Sequence, residues 1–160
     1  MGQTFVIVCP LEALHAGQSF SRRAWPLHVT VGQNFRWDGG TEALVALVDP
    51  VLRRARRCAI QVGVEALFGA HGAVEVSLVE PSSVLTALHE QLVLDGMAFA
   101  EPQYLSPNYR PHITHVGKTR PQEGDRVTLE SAALVELRGD AAEVVATWAW
   151  GPESGESRQT

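Results

Sequence analysis

The chain is short of positive charge, of cysteine and of long apolar runs, and each shortage removes a class of function. Thirteen Lys and Arg stand against eighteen Asp and Glu, for a formal charge of −5. Affinity for duplex nucleic acid rests on neutralising many phosphates, so a duplex-DNA binder is not expected. A small nucleotide, or one RNA end held in a local patch, remains compatible with the charge. Cys9 and Cys58 are the only cysteines, too few for a disulfide framework, and Cys58 heads an apolar run as a small core residue would. No apolar run approaches the roughly 20 residues that span a bilayer. The start lacks the basic region and cleavage site of a signal peptide and the later Ser or Thr of a myristoylation signal. The expectation is a cytoplasmic protein with no membrane partner. No spacing of His, Cys, Asp or Glu reads as a metal cluster, so neither metal nor cofactor is expected.

What is present is an alternation of strand-like and helix-like segments within 160 residues, enough for one domain with a substantial core. Thr4 to Cys9 reads as a buried strand ended by Pro10, and Leu11 to Trp25 as a connector. Pro26 to Phe35 alternates, with Leu27, Val29 and Val31 on one face and His28, Thr30 and Asn34 on the other. A helix follows Gly39-Gly40-Thr41 and runs to Arg57 on a stripe of Leu44, Leu47, Val48, Val51, Leu52 and Ala55. Pro50 inside it implies a kink, or a restart capped by Asp49. The arginines around Arg53–Arg57 read either as a solvated helix end that complements the helix dipole or as an RNA-binding patch. Cys58 to Phe68 and Ala73 to Glu80 read as a hairpin around an exposed His71. Pro81-Ser82-Ser83 opens a second helix, which carries His89 and ends near Asp95-Gly96. Glu101 to Pro107 is a loop. Arg126 to Arg138 and Glu143 to Trp150 read as strands, the latter with Val144, Ala146, Trp148 and Trp150 on one face. Residues 151–160 read as a disordered tail behind a single domain over residues 1–150.

Two tripeptides carry the chemistry. His28-Val29-Thr30 and His112-Ile113-Thr114 each lie in a β-branched, strand-like stretch. Residues two apart on a strand share a face, so each His projects with its Thr. Composition alone yields about a third of one His-x-Thr in such a chain. A pair of imidazoles flanked by hydroxyls suits phosphodiester chemistry: one base, one acid, and donors for phosphate oxygens. Tyr109 is placed either to stack on a base or hold a phosphate, or to pack the strand edge. Arg110 shares the parity of His112 and Thr114 and is a candidate phosphate ligand. Lys118 follows the second strand as a further source of charge. Trp25, Phe35 and Trp37 are candidate base-stacking residues. His115 faces away from His112, which argues against metal binding by the pair and suggests a half-buried histidine with a backbone partner.

The motif pair resembles the two-histidine phosphoesterases, a superfamily that includes bacterial 2′-5′ RNA ligases and cyclic phosphodiesterases. That family carries two His-x-Thr motifs roughly 80–90 residues apart, the second after an aromatic-x-Pro lead-in. Here Tyr109-Arg110-Pro111 precedes His112, and 84 positions separate the two histidines. The resemblance implies a bilobal α+β fold with two antiparallel sheets flanking a central groove and helices outside. It also implies metal-independent opening of 2′,3′-cyclic phosphates or 2′-5′ linkages of nucleotides or RNA ends, with His28 as acid and His112 as base. The residues themselves leave those two roles interchangeable. A groove that binds a nucleotide or RNA end without turnover, and an enzyme acting on ADP-ribose 1″,2″-cyclic phosphate, are the rival readings. The residues do not fix the oligomeric state, and a monomer is expected.

Overall fold

The computed structural model describes residues 2–151. Among them are ten strands: β1 (Gln3–Pro10), β2 (Ser19–Ser21), β3 (His28–Trp37), β4 (Cys58–Phe68), β5 (Val74–Val79), β6 (Ala98–Phe99), β7 (His112–Thr114), β8 (Arg126–Leu129), β9 (Ser131–Arg138) and β10 (Ala141–Ala149). Two α-helices, α1 (Thr41–Arg54) and α2 (Ser83–Gln91), complete the α+β fold. No helix among the described residues is long and apolar enough to cross a membrane.

The two expected sheets are the two ends of one antiparallel path, β2-β10-β9-β1-β3-β7-β5-β4-β8, with β6 beside β3. They join at one residue pair, Val29 on β3 opposite Ile113 on β7. In the first half β1 is covered on both faces, which is why TFVIVC is an unbroken apolar run. On one side Phe5, Ile7 and Cys9 join the main core with Leu44, Val48 and Leu52 of α1 and Leu85 and Leu88 of α2. On the other, Val6 and Val8 pack with Leu14, Val135, Ala142 and Val144 beneath Phe20 and Trp25. The connector after β1 is therefore a cover for the sheet, anchored by β2 on β10.

Helix α1 continues past Pro50 without a break. Asp49 caps no second helix; its carboxylate accepts a hydrogen bond from Trp148 Nε1 at 2.9 Å and pairs with Arg53 at 2.8 Å. Trp150 Nε1 donates to the Leu52 carbonyl at 3.1 Å. Both indoles thus bolt β10 to α1, and Trp150 is buried as expected. Val144 is not on their face. A bulge between Val144 and Ala146 reverses the alternation, leaving Val144 in the second cluster. The run Arg126–Arg138 is two strands, not one. β8 pairs with β4 at one end of the path, whereas β9 lies between β1 and β10. Alternation records burial and not the identity of the partner, so it reads through the break at Glu130. Pro10 is the last residue of β1 and pairs with His28. The hairpin and the cap of α2 by Ser82, which accepts from the Leu85 N–H at 3.2 Å, match the sequence reading. Gly151 is bridged to Arg56, and the rest of the expected tail lies outside the described residues.

Gly32 sits where β3 shifts register against β1. A Cβ there meets Ile7 Cβ at 2.9 Å, closer than packed carbons tolerate. Gly32→Ala is expected to lower stability by about 1–3 kcal/mol, the scale of core overpacking. Its denaturation midpoint should fall with an unchanged denaturant slope; an unaltered midpoint shows that β1 and β3 have slack here.

Candidate active site

The junction of the two half-sheets builds the site. Val29 and Ile113 face each other and both point into the core, fully buried. Continuing that antiparallel register one residue each way sets His28 opposite Thr114 and Thr30 opposite His112. All four then project from the other face, because neighbours along a strand alternate. Cross-strand partners lie roughly 4.5–5.5 Å apart at Cβ, so the motifs form one compact array. The wider sheet holds it from both sides: β1 pairs Pro10 with His28 and Val8 with Thr30, and β5 pairs Leu78 with His112 and Val76 with Thr114.

The two imidazoles are held identically. His28 Nδ1 lies 2.8 Å from the Pro26 carbonyl, and His112 Nδ1 lies 2.8 Å from the Arg110 carbonyl. A carbonyl only accepts, so Nδ1 carries the proton in each ring. Nε2 is left to accept a proton in the neutral form or deliver one in the charged form. Each ring also meets an aromatic: Trp25 at 4.8 Å for His28, and Phe68 edge-on at 4.7 Å for His112. Burial lowers the proton affinity of both below the usual imidazole value, and the carbonyl bonds oppose that shift. For His28 the neighbouring His112 charge lowers it further, and for His112 the Arg110 charge does.

A cleft of about 700 Å³ opens beside this array. Thr30 and His112 line it, with Gln33 and Asn34 from β3, Phe68 from the hairpin tip, and Tyr104, Asn108, Tyr109 and Arg110 from the loop before β7. His28 and Thr114 are not among its lining residues; His28 is half-buried against Trp25. Arg110 lies in the loop before β7, with its guanidinium 5.2 Å from the centre of the Phe68 ring. Tyr109 is less a ligand than a tie. Its hydroxyl donates to the Thr30 carbonyl at 2.7 Å, linking the loop of the second motif to the strand of the first. Burial raises its phenol well above the usual value.

His89, to which the sequence assigns no chemistry, holds that tie in place. Its ring stacks on Tyr109 at 4.0 Å, with 5° between the planes. Nδ1 lies 3.0 Å from the Val31 carbonyl, and Nε2 accepts from the Ser106 N–H at 3.1 Å. These partners define a neutral imidazole with its proton on Nδ1. A lone helical histidine gives no sequence signal for this, since both partners come from distant segments.

Other expected contributors fall elsewhere. Phe35 is 1% exposed and packs between Phe5 and Phe99 in the core, so it cannot stack on a base. Trp37 donates from Nε1 to the Gly40 carbonyl at 2.8 Å, leading into α1, and does not line the cleft. Lys118 is exposed in the turn closed by Val116 and Thr119, and it too is absent from the cleft lining. The ring partner of His115 is a side chain, not the backbone: Ser77 Oγ lies 2.7 Å from Nε2. Its Nδ1 lies 3.7 Å from Glu75 Oε1 without a hydrogen bond. His71 and Arg53, Arg54, Arg56 and Arg57 are exposed. Among the described residues no three His, Cys, Asp or Glu side chains are grouped to hold a metal ion.

Replacing His89 with leucine keeps the volume and strands the Val31 carbonyl and the Ser106 N–H. A loss of about 1–3 kcal/mol is expected from such unsatisfied groups. His89→Gln, which carries a donor and an acceptor, should recover part of it. Urea unfolding of both variants checks this, and a leucine variant as stable as the parent refutes the bridging role.

The geometry agrees with comparisons to known proteins. The family model described as the 2′-5′ RNA ligase superfamily matches residues 10–148, which include both motifs. No curated protein sequence matches the chain. The fold is similar to that of E. coli LigT complexed with NADP+, with a TM-score of 0.57 at 16% identity, covering 94% of this chain and 98% of that one. A structure described as a phosphoesterase gives a TM-score of 0.59 at 16% identity, over 94% and 99% of the two chains. TT0787 of Thermus thermophilus gives 0.50 at 16%, over 96% and 100%. With the family model spanning both His-x-Thr segments and most of the chain, this protein belongs to the 2′-5′ RNA ligase superfamily, among the two-histidine phosphoesterases.

Proposed function

We propose that this chain is a metal-independent phosphodiesterase that opens 2′,3′-cyclic phosphates of nucleotides or RNA ends. The observation that carries the reading is the matched pair of imidazoles. Each has its Nδ1 proton held by the carbonyl two residues upstream, and they stand on adjacent strands with a threonine opposite each. Structures of E. coli LigT with NADP+, 3′-AMP, ATP and phosphate support a nucleotide phosphate as the ligand class.

The reaction needs one proton removed and one supplied. His112, neutral, takes a proton from water through Nε2 as the water oxygen attacks phosphorus. His28, protonated, delivers its Nε2 proton to the ribose oxygen that leaves. The family resemblance assigns these roles. Thr30 and Thr114 donate to the non-bridging oxygens, and Arg110 adds positive charge at the cleft wall. Tyr109, which also lines the cleft, ties its loop to the Thr30 carbonyl. Lys118 stays outside the cleft and has no part in this scheme.

His28→Ala and His112→Ala are each expected to cost at least about a hundredfold in turnover of 2′,3′-cyclic AMP, the usual scale for a general acid or base. Circular dichroism should show the fold unchanged. Near-full activity in either variant removes that residue from the mechanism. Binding without turnover in the parent chain favours the non-catalytic groove, and turnover of ADP-ribose 1″,2″-cyclic phosphate alone favours that substrate.

Activity is expected to survive exhaustive chelation, since base, acid and charge stabilisation all come from side chains. Loss on chelation with recovery by one divalent ion overturns the scheme.

The pH profile follows from the direction of the shifts. The base must be neutral, so kcat/KM rises as pH passes its pKa. The acid must be protonated, so kcat/KM falls as pH passes its pKa. Burial lowers both imidazoles, so both limbs belong below the free value of about 6.5. A bell with its alkaline limb clearly above that value shows that the buried histidines are not the groups reporting on the free enzyme.

A further inference from the structure

Behind the second motif stands a polar group that the scheme above does not use. Among the described residues, the only buried side-chain nitrogen or oxygen without a hydrogen-bond partner is His115 Nδ1. An unpaired buried polar atom costs stability, so the placement of this ring needs a reason. His115 follows Thr114 directly and has the parity of Ile113, so its ring leaves the strand on the core-facing side. Its N–H donates to the Glu75 carbonyl at 2.9 Å, which carries the pairing of β5 with β7 one residue past Thr114. The ring then reaches diagonally along β5, where Ser77 Oγ lies 2.7 Å from Nε2. Ser77 is itself 1% exposed and pairs with Ile113.

Thr114 therefore stands between two side chains that point away from it. Ile113 is fixed by the core. His115 is fixed by Ser77 at one ring nitrogen, and the other faces Glu75 Oε1 at 3.7 Å. That carboxylate is tethered in turn, because Arg120 pairs with it at 2.9 Å and with Glu65 at 3.3 Å. A proton on Nδ1 is attracted by the carboxylate, whereas a lone pair there is repelled. The ring thus presents Nδ1–H to Glu75 and accepts from the Ser77 hydroxyl at Nε2. Strand β7 has only three residues, and just past His115 the chain turns, with Val116 and Thr119 bonded to each other. The strand has no length beyond this point to steady Thr114, so the side chain of His115 does that.

We infer that His115 is a positioning residue for the second motif: through its bond to Ser77 it holds Thr114 at the angle from which the hydroxyl meets the phosphate. The inference rests on the phosphodiesterase reading, in which Thr114 donates to a non-bridging oxygen, and adds to it a group that never touches substrate. Such a donor matters most where charge builds in the transition state. A loosened Thr114 therefore lowers kcat more than it raises KM.

The test divides the ring between two amides: glutamine extends its amide to the place of Nε2, asparagine only to that of Nδ1. His115→Asn and Ser77→Ala are each expected to lower kcat for 2′,3′-cyclic AMP by about tenfold or more, the scale of a misplaced active-site group. KM should change by less than about twofold, and His115→Gln should keep kcat within about threefold of the parent. The double variant Ser77→Ala/His115→Asn should fall no further than the worse single one, since both break the same bond. The backbone order parameter of Thr114, read by NMR on the free protein, should drop in His115→Asn and hold in His115→Gln. Parent kcat in His115→Asn overturns the inference, whatever its urea midpoint. Equal losses in the Gln and Asn variants assign the effect to ring volume and overturn the role of the Ser77 bond. If His115→Asn does not fold, Ser77→Ala decides in its place, and parent kcat there overturns the inference. If the parent chain opens no cyclic phosphate, the phosphodiesterase reading falls by itself. The order parameter then decides: an unaltered value in His115→Asn overturns the hold on Thr114, and a lowered one supports it.

Discussion

One residue pair, Val29 against Ile113, holds the two half-sheets to each other and sets the active-site register. Both side chains are fully buried, so the core fixes which way they point, and alternation then fixes the direction of the four neighbours. A slip of β7 by one residue against β3 sends His112 and Thr114 into the core and Ile113 into the cleft, and a slip of β3 does the same to His28, Thr30 and Val29. Burial of Val29 and Ile113 therefore specifies the site as firmly as any contact within it.

So narrow a junction needs support, and the loop before β7 supplies it. Strand β7 is three residues long and brings little pairing of its own. Tyr109 reaches across to the Thr30 carbonyl, His89 stacks beneath Tyr109, and His89 in turn joins the Val31 carbonyl to the Ser106 N–H. These bonds satisfy backbone groups of β3 and of the loop, and they lock the cleft wall to the first motif. The same loop carries Tyr104, Asn108 and Arg110, so the element that stabilises the junction also shapes what enters the cleft.

The two histidines are held alike by the fold. The carbonyl bond at Nδ1 sets the tautomer in both rings and leaves Nε2 for chemistry. Burial then favours the neutral ring, while the flanking charges differ, His112 acting on one and Arg110 on the other. The two rings therefore differ in their flanking charge although the motifs are equivalent in residue type.

Much of this was legible in the residues, because periodicity and spacing are local properties. The unbroken TFVIVC run announced a buried strand. The alternation from Leu27 placed His28 and Thr30 together on the face opposite Val29. The repeated His-x-Thr announced two-histidine chemistry, and the cap at Ser82 announced α2. What stayed hidden depends on partners far away in the chain. Phe35 read as a candidate base-stacking residue and is core, packed between Phe5 and Phe99. The run Arg126–Arg138 is divided between opposite ends of the sheet, and a bulge separates Val144 from the tryptophans. His89, an ordinary helical histidine in the sequence, is a hub in the fold. The sequence by itself determined which residue types are candidates for the chemistry and which face of each strand they occupy, since both follow from local spacing. Only the tertiary structure decided that the two motifs sit side by side, with which tautomer and which supports, because strand pairing and burial join segments whose order in the chain does not reveal their contact.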